Sequence, residues 1–446
     1  MHDRDQIAPR EVSTDGAGTR VWVAWLRRAI GRASWAAIDQ ALFGLANFAA
    51  NLALARWFTR AEFGGYMAAS GVFWILATVH TGLLTEPLMV FGSGRFRNRL
   101  SSYLTVLVVA HWCVSAVIAA VLASAGLALM CWGSKISGAS MLGYALASPV
   151  ILLLWLFRRT FYVESAPRLA VGGSAIYMMG MLVIIYALYR SNALSSVTAP
   201  LAAASASILA IGGFIAGRRF EPLSLWRGDF VRQVTTAHWR YGRWAVVTGI
   251  VSAASGPLYY IVVPLLVGLD ANGALNALWN LVMPALQLTG SFAFLLVPAF
   301  CRVRQREQGA SLVWIALLVL VAGASLYALL VGLFGRQLIE ALYRGRYTQY
   351  AEFAWLIGLL ALPTAAVMVL GSALQAYERP DRVLWANMIS AAVTCSFGVA
   401  AIAIWGLLGA ILGLLAGSVT TMLVELWWLL RTVELRRPQA AARRYT

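Results

Sequence analysis

The sequence predicts an all-α polytopic membrane protein. Its twelve transmembrane helices fall into two six-helix halves, related by a pseudo-two-fold axis along the membrane normal and set in a V around a central cavity. Three observations predict this: composition, the distribution of basic residues, and internal repetition. Hydrophobic residues make up 61% of the 446 and charged residues only 12%, about half the charge of a soluble chain. That charge cannot cover a soluble protein of this size, which excludes an ordinary cytosolic enzyme, a disordered chain and a coiled coil.

Twelve runs satisfy the need for about 20 mostly apolar residues per crossing. They are 34–56, 65–88, 103–130, 139–157, 169–189, 197–217, 244–267, 273–300, 310–334, 353–375, 383–404 and 407–430, the last two parted by a tight turn at Gly406 and Gly409. An even number puts both termini on one side. The chain is strongly basic, +17, with 34 arginines and one lysine, Lys135. Of these 35 residues, 28 fall in the tails and loops on the side of the termini and 7 on the other. Cytoplasmic loops carry the excess of positive charge, so both termini are expected in the cytoplasm. The first 19 residues are polar and the first apolar run lacks a small-residue cleavage site, which predicts a retained span rather than a signal peptide.

The repetition sets the domain organisation. Trp35 and Gly64 flank the first span at a separation of 29, and Trp244 and Gly273 flank the seventh at the same separation. Arg95, Arg97 and Arg99 follow span two as Arg302, Arg304 and Arg306 follow span eight. Glu164 to Arg168 follows span four as Glu378 to Arg382 follows span ten. All three offsets lie between 207 and 214. The expected layout is a cytoplasmic tail (1–33), a first half (34–217), a basic cytoplasmic linker (218–243), a second half (244–430) and a cytoplasmic tail (431–446). Six spans per half give both halves the same orientation.

Polar stripes mark the first two helices of each half. Gln40, Asn47 and Asn51 lie within about 40° of one another on span one. Thr248, Ser252, Ser255 and Tyr259 share a face of span seven, and Asn276, Asn280 and Gln287 one of span eight. On span two, Tyr66, Ser70 and His80 share a face. An amide facing lipid costs several kcal/mol, so these stripes face water in the cavity or another helix. Small hydroxyl residues on span seven suit close packing equally well.

Few ionisable groups lie within spans, and such groups are functional candidates by default. Asp39 sits one turn into span one, placed to pair with Arg32 or Arg28. Glu86 precedes Pro87 and is expected near Arg95 or Arg97. Each carboxylate suits a proton relay or a fixed ion pair. Glu425, with Trp427, Trp428 and Arg431 around it, reads as an interfacial anchor. His111 reads as a hydrogen-bonded core residue. The four cysteines have no metal spacing and are expected to be buried and inert. No phosphate-binding loop, zinc motif or nucleophile elbow is present, so neither an enzyme nor a cofactor is expected.

Four patches carry a family resemblance. Ala55 to Gly64, the Thr85-Glu86-Pro87 ending of span two, Arg158 to Arg168, and Leu342 to Tyr347 occur in this order. Together they resemble Wzx-type flippases for O-antigen and exopolysaccharide, within the multidrug/oligosaccharidyl-lipid/polysaccharide exporter superfamily. The resemblance implies a bacterial inner-membrane location. It also implies transfer of a polyprenyl-diphosphate-linked oligosaccharide from the cytoplasmic to the periplasmic leaflet by rocking of the two halves. Implied partners are the lipid-linked oligosaccharide, membrane lipids, a polysaccharide polymerase and a chain-length regulator, and no nucleic acid. Amides and hydroxyls suit sugars, and arginine forks suit a diphosphate. Arg28, Arg32, Arg95, Arg97, Arg240 and Arg243 form a cytoplasmic rim, with Arg95, Arg97 and Arg243 the candidates for capture. The sequence departs from relatives with cationic cavities, because no arginine stands in the middle of a cavity span. Two alternatives stay open: a cation-coupled multidrug antiporter of the same superfamily, and a non-transporting membrane partner of a polysaccharide synthase.

Overall fold

A computed structural model describes residues 16–164, 166–215, 228–254, 256–303 and 309–442, with no β-strand among them. The first six rods are α1 (Gly16–Trp57), α2 (Arg60–Gly92), α3 (Leu100–Cys131), α4 (Lys135–Val163), α5 (Pro167–Arg190) and α6 (Thr198–Ile215). The second six are α7 (Gly228–Ala253, resuming at Tyr259–Leu266), α8 (Leu269–Val303), α9 (Gly309–Tyr343), α10 (Thr348–Ala376), α11 (Asp381–Trp405) and α12 (Leu407–Ala442). Within the described residues each predicted span falls on one rod, span seven across the break in α7.

Several rods are longer than the apolar runs. In α1 the apolar stretch is Ser34–Trp57, and the helix continues back to Gly16. Helix α7 begins at Gly228, inside the segment expected as a linker. Its first turns are polar yet periodic: Val234, Ala237 and His238 are buried while Arg232, Gln233, Thr236 and Arg240 are exposed. Hydropathy alone ends the span where the polar face begins. The helical period continues past that point.

Local chemistry sets the ends and breaks. Thr59 and Glu62 form a reciprocal capping box that starts α2. Pro167 opens α5, where its missing N–H has no helical partner to lose. Helix α2 changes to π-helical turns at Thr81–Thr85 and Leu88–Gly92, on either side of Pro87, whose ring and absent N–H break the regular ladder. Gly406 takes a φ of +57° between α11 and α12, which lets two spans follow one another with a single residue between them.

Burial repeats helix for helix. The apolar windows of α4 and α10 are 72% and 61% buried, whereas those of α3 and α9 are 33% and 17% buried. The fourth helix is thus the centre of each half and the third its periphery. Outward-facing Val117, Leu127, Leu318 and Leu333 are more than half exposed, an apolar belt that only lipid can cover. Cys113, Cys131, Cys301 and Cys395 are exposed rather than buried. A small apolar thiol is as stable against lipid as in a protein core, so apolar sequence did not distinguish the two.

The halves meet where α2 crosses α8. A Cβ on Gly64 would lie 1.8 Å from the Leu269 carbonyl oxygen, and one on Gly273 would lie 2.6 Å from that of Arg60. Gly64 pairs with Gly273, and Arg60 with Leu269, at one offset of 209 residues. The contact is therefore reciprocal, as for equivalent surfaces meeting on a two-fold axis. The two glycines that flag the sequence repeat are the residues through which that axis passes.

Candidate functional site at the seam between the halves

Helices α1, α2, α7 and α8 form the seam. Its face opposite the basic loops is sealed by polar contacts around the paired glycines. Asn272 donates from Nδ2 to the Gly64 carbonyl at 2.7 Å. Arg60 faces Asp270 at 3.8 Å. Arg56 donates from Nη2 to Ala341 O at 2.6 Å and from Nε to Leu342 O. These carbonyls end α9, where a cation complements the unpaired C=O groups. The segments Ala55–Gly64 and Leu342–Tyr347, singled out separately in the sequence, thus lock onto each other across the seam.

Along the rest of the seam, α2 packs on α7. Gly71 lies against Tyr260 and Pro257, and Gly82 against Val246. His238 of α7 sits between Leu83 O (2.8 Å from Nδ1) and the Tyr103 hydroxyl (2.6 Å from Nε2). A carbonyl only accepts, so Nδ1 carries the proton and Nε2 accepts from the phenol. Between α1 and α8, a Cβ on Gly44 would touch the Gln287 amide at 2.8 Å.

Asp39 organises a buried polar cluster inside the first half. Its side chain is fully buried. Arg158 of α4 donates from Nη2 to Asp39 Oδ2 at 2.7 Å. The Tyr162 hydroxyl donates to the same oxygen, Ser174 of α5 donates to Oδ1 at 2.5 Å, and Gln40 reaches Oδ2 at 3.4 Å. The Arg158 guanidinium also lies 4.0 Å from the centre of the Phe43 ring. The expected partners were Arg28 and Arg32, whose side chains lie outside the described residues. The partner found is Arg158, which the sequence placed in a loop. Helix α4 extends to Val163 and carries this arginine inward.

The other candidates divide by environment. Asn47 accepts from the Tyr177 hydroxyl at 3.3 Å and donates to Phe43 O at 2.9 Å; with Gln40, it turns the α1 stripe toward α4 and α5. Asn51 is half-buried. Tyr66 and Ser70 are buried within the first half, Tyr66 with its ring 5.6 Å from that of Tyr144. His80 is buried against His111, ring nitrogens 2.9 Å apart, so it faces α3. Tyr259 is buried in the second half, its hydroxyl donating to Thr394 O at 3.2 Å between Gly398 and Gly413. Asn276 donates to Asn272 O at 2.9 Å, and Asn280 reaches the Tyr343 hydroxyl at 3.3 Å. Thr248, Ser252 and Gln287 are exposed at the seam helices, and Ser255 lies outside the described residues.

Glu86 is exposed on α2 and, among the described residues, forms no ion pair with Arg95 or Arg97. Glu425 is buried, 1% exposed, against Gly371 of α10. It is not an interfacial anchor: the neighbouring Trp427 and Trp428 stack with Arg431 and Arg382, while Glu425, one helical step away, turns inward. Asn272, Arg158, Tyr162, Ser174 and Tyr177 escaped the sequence reading. Asn272 precedes Asn276 by four residues and extends the same stripe, the one signal available for it.

No family model matches the chain, and no curated protein matches its sequence. Solved structures do match in fold. An inward-facing multidrug resistance MATE family transporter of the MOP superfamily aligns at TM-score 0.69 and 13% identity, over 89% of this chain and 96% of that one. A mutant of the Vibrio cholerae MATE transporter VcmN aligns at 0.63 and 15% identity, over 92% and 97%. A MOP superfamily transporter from Pyrococcus furiosus, described as having a binding pocket of reversed polarity that suggests a different function, aligns at 0.64 and 13% identity, over 92% and 96%. The chain has the fold of MATE transporters. At these identities the likeness is one of fold.

Proposed function

We propose that this protein is an alternating-access transporter that moves a polyprenyl-diphosphate-linked oligosaccharide from the cytoplasmic to the periplasmic leaflet for surface polysaccharide assembly. One observation carries the choice of an anionic over a cationic substrate. Of the two carboxylates that would favour a cation, the buried Asp39 is held by Arg158 at 2.7 Å, and Glu86 is exposed and holds no ion pair among the described residues. Basic-face residues Arg95, Arg97 and Arg243 are exposed and among the described residues hold no ion pair. The seam is therefore poor in free negative charge and its mouth rich in free positive charge, which suits a diphosphate. Hydroxyls and an amide at the seam, Thr248, Ser252 and Gln287, suit sugar hydroxyls. The contacts around Gly64 and Gly273 serve as the periplasmic gate, and the basic face is the loading side.

The antiporter reading is the second one, favoured by the shared fold with multidrug transporters and by a buried aspartate on α1. Expression in a flippase-null strain and in a drug-sensitive strain separates the two. Restored surface polysaccharide, reduced by Arg95→Gln, Arg97→Gln or Arg243→Gln, supports the flippase. Drug resistance without restored polysaccharide supports the antiporter.

A further inference from the structure

The first turns of α7 have two faces. One holds the helix on the first half: Val234 is buried, Phe230 meets the Phe96 ring edge-on at 5.8 Å, and His238 bridges Leu83 and Tyr103. That anchorage fixes where the other face points. Asp229, Arg232, Gln233, Thr236 and Arg240 follow at i, i+3, i+4, i+7 and i+11, one helical stripe. They line a cavity of about 290 Å³ whose far wall is Arg95, from the loop between α2 and α3.

Three guanidiniums and one carboxylate therefore converge on one concave site, and none of the four belongs to an ion pair among the described residues. Like charges gathered at one cavity repel, and an anion relieves the repulsion. Guanidinium forks match phosphate oxygens two at a time, and Gln233 and Thr236 add neutral donors. Exposed Trp239 and Trp244 on the same helix, 61% and 66% exposed, are residues that settle at headgroup depth.

We infer that this cavity is a diphosphate-recognition site. It admits the headgroup diphosphate of a lipid or a soluble diphosphate. As the docking point of a lipid-linked oligosaccharide it rests on the transport reading above. The site is Arg95, Arg232 and Arg240; Arg97 and Arg243 do not line it, and Arg243 stacks on Trp244 instead.

The test is equilibrium binding to the full-length protein in nanodiscs, with two probes: inorganic pyrophosphate in solution, and polyprenyl diphosphate in the disc. Arg232→Gln with Arg240→Gln, and separately Arg95→Gln, should each weaken binding about tenfold or more, with Arg190→Gln, an exposed arginine on the opposite face, near wild type. Tighter binding of the prenyl probe than of pyrophosphate identifies the lipid as source, and the reverse identifies a soluble diphosphate. Unchanged affinity for both probes in the double variant overturns the site. Equal affinity for discs carrying only phosphatidylglycerol overturns its diphosphate specificity. All three arginines are exposed, so the variants keep the wild-type melting temperature. Lost binding with intact polysaccharide export would count against the transport reading and leave the site's chemistry standing.

Discussion

Asp39 ties helices α1, α4 and α5 of the first half together. Its carboxylate is fully buried, and Arg158, Tyr162, Ser174 and Gln40 all point at it. Removing one partner of a buried pair strands the other charge, at a cost of about 3–5 kcal/mol. Asp39→Asn or Arg158→Gln alone should lower the melting temperature in detergent, and the double variant should recover most of the loss. Single variants as stable as wild type would contradict the pairing. The same residues address coupling. Asp39→Asn and Glu86→Gln are expected to impair export in a complementation assay, and full activity in both would make a proton relay through them untenable. The sequence displayed Asp39 as an outlier in an apolar run, yet not its partner. Arg158 sits beside Arg159 in a basic stretch that reads as loop, and its inward turn depends on helix α4 continuing to Val163.

At the level of elements, the crossing of α2 over α8, the proposed gate, has no room for a side chain. A Cβ at Gly64 would fall 1.8 Å from a backbone oxygen that cannot rotate away. Gly64→Ala should therefore hold this face apart and reduce export while leaving the halves folded. Cross-linking reads the effect directly. With Cys113, Cys131, Cys301 and Cys395 replaced, because all four are exposed, cysteines introduced as Arg60→Cys and Asp270→Cys should join through a short bismaleimide. Gly64→Ala should abolish that product, and equal yield with and without it would contradict the gate. The repeat spacing made Gly64 and Gly273 visible in the sequence as a pair. Their contact was not visible, because a two-fold axis brings equivalents together only where it passes through them. The stripe on α1 was legible as polar, but not that Tyr162 and Tyr177 would draw Gln40 and Asn47 into the first half.

For the whole molecule, composition and the twelve apolar runs were enough to predict the architecture, since a bilayer dictates helix length and satisfaction of every backbone group. The ends of α1, α7 and α12 were illegible for the converse reason: outside the bilayer a helix continues on amphipathic or polar sequence that hydropathy does not register. Orientation is testable. Reporter fusions at both termini should be active as cytoplasmic reporters only, as the 28-to-7 division of basic residues requires. Substrate is the larger question, because one fold hosts many cargoes. The most direct measurement reconstitutes the purified protein in liposomes carrying a fluorescent polyprenyl-diphosphate oligosaccharide in one leaflet and follows its exposure to an impermeant quencher. A flippase gives time-dependent transfer that Gly64→Ala and the Arg232→Gln, Arg240→Gln double variant slow. Transfer no faster than in protein-free liposomes would contradict it.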